Sequence, residues 1–324
     1  MGKDILFSYL PHYFILPTFY VPLHAMKKMV SITASEVPTA KLHGYLLGAV
    51  GPRPIAFAST IDEKGRPNLS PFSFFNVFSS NPPILIFSPS RRVRDNRNKH
   101  TLENVLKNME VVINVVNFNM VQQMSLASSE YKEGENEFVK SGLTMLSSEM
   151  VTPFRVAESP VQFECKVVKV EALGDQGGAG NLIFSEVLKI HVDTDILDDN
   201  GNIDQFKIDQ VARMGGNWYS RANLGLFEVP KPVSSLGIGV DQIPEHIRFS
   251  NVLTGNDLGM LGNIEKLPSK EEVKLYVDNN LELRAILSAG DLALQHAKAQ
   301  ELLNNKDILS AWMILLADIP TNQD

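Results

Sequence analysis

The chain has 324 residues, enough for one large domain or two ordinary ones, with 44% hydrophobic, 21% charged and 8% aromatic residues, an ordinary globular mix. Its formal net charge of −7 argues against a nucleic-acid binder built on a dominant basic surface. The single cysteine, Cys165, excludes an internal disulfide and suits a reducing compartment, so a cytoplasmic protein is expected. The seven histidines are scattered, with no HxxxH or CxxC pair, and no metal site is expected.

In chain order, "YFILPTFYVPL" (residues 13–23) is apolar but too short to span a bilayer, and Pro17 and Pro22 break it. No small-residue cleavage site follows. Residues 1–29 are therefore read as an extension outside the fold, and no membrane association is expected. From Arg53, "RPIAFASTI" alternates, with Ile55, Phe57, Ser59 and Ile61 on one face and Ala56, Ala58 and Thr60 on the other, which predicts a strand. "DEKG" supplies a turn at Gly65. In "SPFSFFNVFSSNPP" (residues 70–83) four phenylalanines lie among hydroxyls, amides and three prolines. This composition suits the lining of something partly flat and apolar, partly polar. "ILIFS" then predicts a second strand at residues 84–88.

The segment "FSPSRRVRDNRNKHT" (residues 87–101) clusters Ser88, Ser90, Arg91, Arg92, Arg94, Arg97, Lys99 and Thr101 between a strand and a helix. Hydroxyls, cations and the free N–H groups of a helix capped by Thr101 could together hold one phosphate. A solvated basic loop is the plainer alternative. Leu102, Val105, Leu106 and Met109 recur at helical spacing. "EVVINVV" reads as a buried strand, and short helices are expected at residues 119–126 and 136–140. "VQFECKVVKVEAL" alternates, with Val161, Phe163, Cys165 and Val167 inward and Gln162, Glu164 and Lys166 outward. The glycine-rich "GDQGGAGN" is followed by a strand and not a helix, so it is a hairpin loop and not a dinucleotide loop. "DTDILDDNGNID" lacks the spacing of a calcium loop and reads as a solvated turn. "VARMGGNWYSR" (residues 211–221) is either a glycine turn with an aromatic plug or an element closing over a ligand. Successive strands with little helix between them predict a mainly antiparallel sheet closed into a barrel. Beyond residues 228–232 the sequence turns rich in Leu, Ala, Glu and Lys, predicting helices, with Ser269 and Asp291 as caps.

Together, "GPRPIAFASTIDEKGRPNLSPFSFFNVFSSNPPILIFSPSRR", "KHTLENV" and "RMGGNWYSR" resemble the flavin reductase-like family of the FMN-binding split-barrel superfamily. The resemblance implies a mainly β, Greek-key split β-barrel with short flanking helices over residues 30–232, followed by a C-terminal helical extension at 233–324. It implies a homodimer with FMN at the interface, NADH or NADPH as electron donor, hydride transfer to flavin N5, and a flavin-dependent monooxygenase as a partner. A non-catalytic FMN-binding or electron-carrier protein of the same fold is the alternative. By the same resemblance, Ser59, Thr60, Phe74, Phe75 and Asn76 border the isoalloxazine and ribityl chain. The phosphate falls to Ser88, Ser90 and Arg91 together with Lys99 and Thr101. The family's Lys-Asp-Thr reads Lys99-His100-Thr101 here. Arg53, Gly216 and Trp218 complete the expected cofactor set, and His43 and Tyr219 are the candidates for the catalytic side. No acid–base triad is required where the cofactor carries the chemistry.

Overall fold

The computed structural model describes residues 28–132, 134–229 and 236–318. Of the expected N-terminal extension, residues 1–27 lie outside the described residues. The chain divides into two compact units, residues 1–226 and 227–324.

The first unit opens with helix α1 (Thr39–Ala49) and strands β1 (Ala56–Ile61), β2 (Pro67–Phe72), β3 (Phe75–Ser80) and β4 (Pro83–Phe87). Helix α2 (His100–Asn108), β5 (Glu110–Asn114), α3 (Val121–Ala127) and α4 (Glu137–Ser141) follow, then the short β6 (Met145–Leu146) and β7 (Arg155–Val156). Two long strands, β8 (Val161–Ala172) and β9 (Asn181–Val192), precede a small hairpin of β10 (Val211–Arg213) and β11 (Tyr219–Arg221). Seven strands form one antiparallel sheet in the order β2-β1-β5-β8-β9-β4-β3. The two edge strands, β2 and β3, are consecutive in the chain and joined by Ser73 and Phe74 alone. The sheet must therefore curl until its edges meet at that joint, where the Ser88 amide donates to the Phe74 carbonyl at 2.9 Å.

The curl encloses one apolar interior. Ala56, Ala58, Phe72, Leu85, Phe87, Val111, Ile113, Cys165, Val167 and Ile183 come from six different strands into one buried cluster. The Phe72 and Phe87 rings meet across it at 5.4 Å. The other face of β1 is buried too: Ile55, Phe57 and Leu69 pack with Met120, Met124 and Phe138 of the α3–α4 region. Burial of each such large side chain is worth about 1.5–3 kcal/mol.

Residues 70–83 are largely strand, because β2 and β3 run through them, and the sheet ends at these edges with no β2–β3 ladder among the described residues. Two expectations are corrected. Thr101 does not cap α2; Lys99 occupies that position, and the Thr101 hydroxyl, inside the first turn, accepts from Asn68 Nδ2 at 2.9 Å. Glu164 and Gln162 are buried, because residues 147–155 cover their side of β8. The Glu164 carboxylate accepts from the amides of Glu149 (3.0 Å) and Met150 (2.5 Å) and lies 2.6 Å from His191 Nε2. Burial alone would raise its pKa, but these amides and the imidazole outweigh burial and hold it below the ordinary carboxylate value.

The second unit contains α5 (Glu245–Arg248), α6 (Gly255–Leu261), α7 (Lys270–Asp278), α8 (Leu281–Ser288), α9 (Leu292–Asn304) and α10 (Ile308–Leu315). Ser269 forms a capping box with Glu272, and Asp291 accepts from the amides of Ala293 and Leu294. The stretch "EEVKLYVDNNLELRAIL" holds two of these helices, since Asn280 caps α8 and restarts the turn. The core gathers around the fully buried Trp312, whose Nε1 donates to the Leu261 carbonyl at 3.1 Å.

Candidate functional site

Three cavities follow one another along the β2–β3 joint. The first sits at the start of α2 and is polar, lined by Ser70, Arg92, Lys99, Thr101, Ser128 and Glu130 among others. The second, about 170 Å³, is lined by Ile55, Pro71, Ser73, Met124, Ser128, Arg213 and Tyr219. The third, about 340 Å³ and mainly apolar, is lined by Arg53, Ser73, Phe74, Phe75, Asn76, Phe78, Ile86 and Ser88, with others. Ser128 is common to the first and second, Ser73 to the second and third. Ser70, Pro71, Ser73 and Phe74, at the end of β2 and along its two-residue exit, thus fall one after another in the linings of the three cavities.

The first cavity gathers two cations at the start of a helix. Lys99 has no side-chain cap to offer α2, and the amides of Leu102 and Glu103 both return to the Lys99 carbonyl at 3.0 and 3.2 Å. The first-turn amides of His100 and Thr101 therefore have no intrahelical acceptor, and the positive end of the helix faces the cavity. The Lys99 ammonium makes no hydrogen bond or ion pair among the described residues. Burial, and then the neighbouring Arg92 guanidinium, pushes its pKa down. Arg92 has only a distant partner in Glu130, at 3.8 Å, and its buried Nε has none. An incoming phosphate would satisfy both cations and the helix start at once.

The second cavity is flanked by a stacked pair, the Arg213 guanidinium lying 4.6 Å from the centre of the Tyr219 ring. Arg221, by contrast, is spent on structure. It forms two 2.7 Å bonds to Asp209 and stacks on Phe118, pinning β11. The third cavity is the aromatic end. Phe74 is 40% exposed, and the His43 ring of α1 meets it edge-on at 6.4 Å.

The groove therefore brings together Lys99 and Thr101 at one end, Tyr219 in the middle, and Arg53, Phe74, Phe75, Asn76 and Ser88 at the other, with His43 beside Phe74. It does not take in the rest of the expected set. Ser59 is sealed in β1 with its hydroxyl unpartnered. Thr60 is equally buried, accepting from Asn104 Nδ2 at 3.1 Å. Ser90 bridges to Gly180. Every donor-bearing arm of Arg91 is engaged within its own loop, at 2.7–2.8 Å from Asn96 and Asn98. Gly216, with φ +57°, and Trp218, 78% exposed, belong to the turn between β10 and β11 and line none of the three cavities. Trp218 is thus no core plug. Arg53 reaches the third cavity, but its guanidinium is largely occupied. It donates to the carbonyls of Leu47 (2.7 Å), Val50 and Met214 (2.8 Å), fastening the end of α1 to the β10 region. Burial, and then Arg213, lowers its pKa.

Arg213, Ser73 and Ser128 are groove residues that sequence reasoning left out, and Arg92 was named only as one member of the basic run. Arg92 was visible within the basic run, but nothing in a run of arginines distinguishes the one turned inward. Ser128 announces itself only by ending α3.

The flavin reductase like domain family matches residues 49–207. An uncharacterized protein of Aquifex aeolicus is 41% identical over 193 residues, spanning 60% of this chain and 96% of its own length. YwrF, an uncharacterized protein of Bacillus subtilis, is 31% identical over 196 residues, 60% of this chain and 95% of that one. Among solved structures, nitrilotriacetate monooxygenase component B of Bacillus cereus superposes with a TM-score of 0.59 at 25% identity, covering 63% of this chain and all (100%) of that one. A split-barrel-domain protein of Shewanella frigidimarina, assigned as a flavin reductase, gives a TM-score of 0.52 at 26% identity, over 61% and 95% of the two chains. The matched span holds the β2–β3 joint, the start of α2 and the curled sheet that sets them side by side, and through it the chain belongs to the flavin reductase-like family.

Proposed function

We propose that this protein is an FMN-binding oxidoreductase, and specifically an NAD(P)H-dependent flavin reductase. The observation that carries the reading is the groove itself: loosely partnered cations and free helix amides at Lys99, Arg92 and α2, leading past Tyr219 to Phe74 and Asn76. A flavin nucleotide has that polarity, a phosphate at one end and a flat ring with a polar rim at the other. When bound, the flavin supplies the redox chemistry, taking a hydride at N5 from reduced nicotinamide. The chain's own residues do the rest. Lys99, Arg92, Thr101 and the first-turn amides of α2 hold the phosphate. Ser70 and Ser73 offer hydroxyls along the path. Phe74 and Phe75 cover apolar ring surface, while Asn76 and Ser88 offer polar contacts. Tyr219 and His43 stand where a second ring could be oriented and water excluded.

The same reading takes the curled sheet as a Greek-key split barrel occupying residues 30–232, with residues 233–324 as an appended helical domain. It takes the exposed apolar side chains of α1 and β3, among them Leu46, Val77 and Phe78, as a homodimer face next to the flavin. A cytoplasmic setting and a monooxygenase that consumes the reduced flavin belong to it as well. The likeness to a monooxygenase component supports the latter. The test is anaerobic: FMN-loaded protein is mixed with NADH and separately with NADPH, and the absorbance of oxidised flavin is followed. Bleaching faster than for free FMN is expected with one of the two. Tight FMN binding with no bleaching by either would favour an electron carrier with another donor.

A further inference from the structure

The anion pocket also contains a carboxylate that no phosphate would welcome. Glu137 opens α4 and is 8% exposed. Its Oε2 accepts from the amide of Leu69 in β2 at 3.1 Å, and its side chain lines the same cavity as Lys99, Arg92 and Thr101. It also lines the neighbouring polar cavity of about 240 Å³ under the β1–β2 turn, and His100 and Asn68 are common to both. A glutamine would accept the Leu69 amide equally well. What the glutamate adds is a charge that can be switched off.

We propose that Glu137 makes occupation of this pocket proton-linked: the phosphate of the flavin nucleotide binds more tightly when the Glu137 carboxyl carries a proton. The inference rests on the reading of the groove as a flavin-nucleotide site. An ionised Glu137 repels the phosphate across a partly dry pocket; a neutral one does not. Burial already favours the neutral form, raising the Glu137 pKa against the pull of the Leu69 amide and of His100. The other charged neighbours fall on two sides. Lys99, Arg92, Glu130 and Tyr131 face Glu137 from the anion pocket. Toward the 240 Å³ cavity lie Glu135 and Glu103, the Asp62–Arg66 ion pair, Lys64, and the Lys107–Glu63 pair. Of the anionic groups, Glu130 is tied to Arg94 at 3.0 Å, whereas Glu137 has no cation at salt-bridge distance among the described residues.

Because phosphate and proton bind to one pocket, each must strengthen the other by the same factor. The test measures dissociation constants of FMN and riboflavin, by flavin fluorescence on the full-length apoprotein, in mildly acidic and mildly alkaline buffer. Wild type is compared with Glu137→Gln. At alkaline pH the variant should bind FMN tighter by about tenfold, and in acid the two should converge. Riboflavin, without the phosphate, should show no difference at either pH. Thermal unfolding verifies that the variant is folded. If it is not, wild type alone gives the answer: its ratio of FMN to riboflavin affinity should fall from mildly acidic to mildly alkaline buffer, although the phosphate gains charge over the same range. Equal FMN affinities in wild type and variant at both pH values, or a wild-type ratio that does not fall, would overturn the proposal and leave the flavin site standing. Failure of wild type to bind FMN at all would overturn both.

Discussion

Two parts of one basic segment use their charge in opposite ways. At Arg91 and Arg97 the charge is consumed: Arg91 spends its guanidinium on Asn96 and Asn98, and Arg97 is paired with Asp95 at 2.7 Å. At Lys99 and the start of α2, with Arg92 turned toward them, it is left over. The first arrangement holds a loop in shape; the second holds that shape open for something else. Saturated polar groups argue for architecture, and buried or half-buried ones left without partners argue for a ligand. Glu164 belongs with Arg91 on the saturated side, although it lies in a different strand.

The largest effect should come from breaking a saturated site. Glu164→Ala removes the acceptor for two amides and for His191 and should cost about 3–5 kcal/mol in urea unfolding, with FMN affinity of the folded fraction unchanged. The same site sets an acid limb. Its folded pKa lies below the unfolded one, so its contribution is complete above the ordinary carboxylate range and is lost as pH falls through the folded value. Glu164→Gln should flatten that part of the stability–pH curve. Arg91→Ala, which frees Asn96 and Asn98, should lower stability by about 2 kcal/mol. Lys99→Ala reverses the pattern. It should leave unfolding unchanged within about 0.5 kcal/mol while weakening FMN by roughly 10–100-fold, the worth of a charge-assisted contact. Smallest of all, Phe74→Ala should weaken FMN and riboflavin alike, by about fivefold for a lost ring contact of about 1 kcal/mol. A Lys99→Ala variant that lost stability instead of affinity would erase the distinction between the two parts of the segment.

Much of this was legible in the sequence. Alternation gave β1 and β8, and "EVVINVV" gave β5, because a strand buried on one or both faces must spend apolar side chains at a fixed period. Ser269 and Asp291 announced helix starts because their side chains are the shortest acceptors that reach the orphan amides. The aromatic stretch pointed correctly to a lining, yet not to strands, since β3 is an edge whose Val77 and Phe78 remain exposed and whose composition obeys no buried-strand pattern. The fate of Glu164 was hidden because the segment covering it lies elsewhere in the chain. The division of labour between Arg91 and Arg92 was hidden for a related reason. Adjacent residues in a loop point in different directions, and only the fold decides which one meets Lys99.

The phosphate site proposed at Lys99, Arg92 and the start of α2 is read out by the ratio of FMN to riboflavin affinity in wild type and in Lys99→Ala. Wild type should prefer FMN by at least about tenfold, the worth of one charge-assisted contact, and the preference should collapse in the variant while riboflavin affinity holds. Equal affinity for the two flavins in wild type, or a preference that survives loss of Lys99, would contradict it.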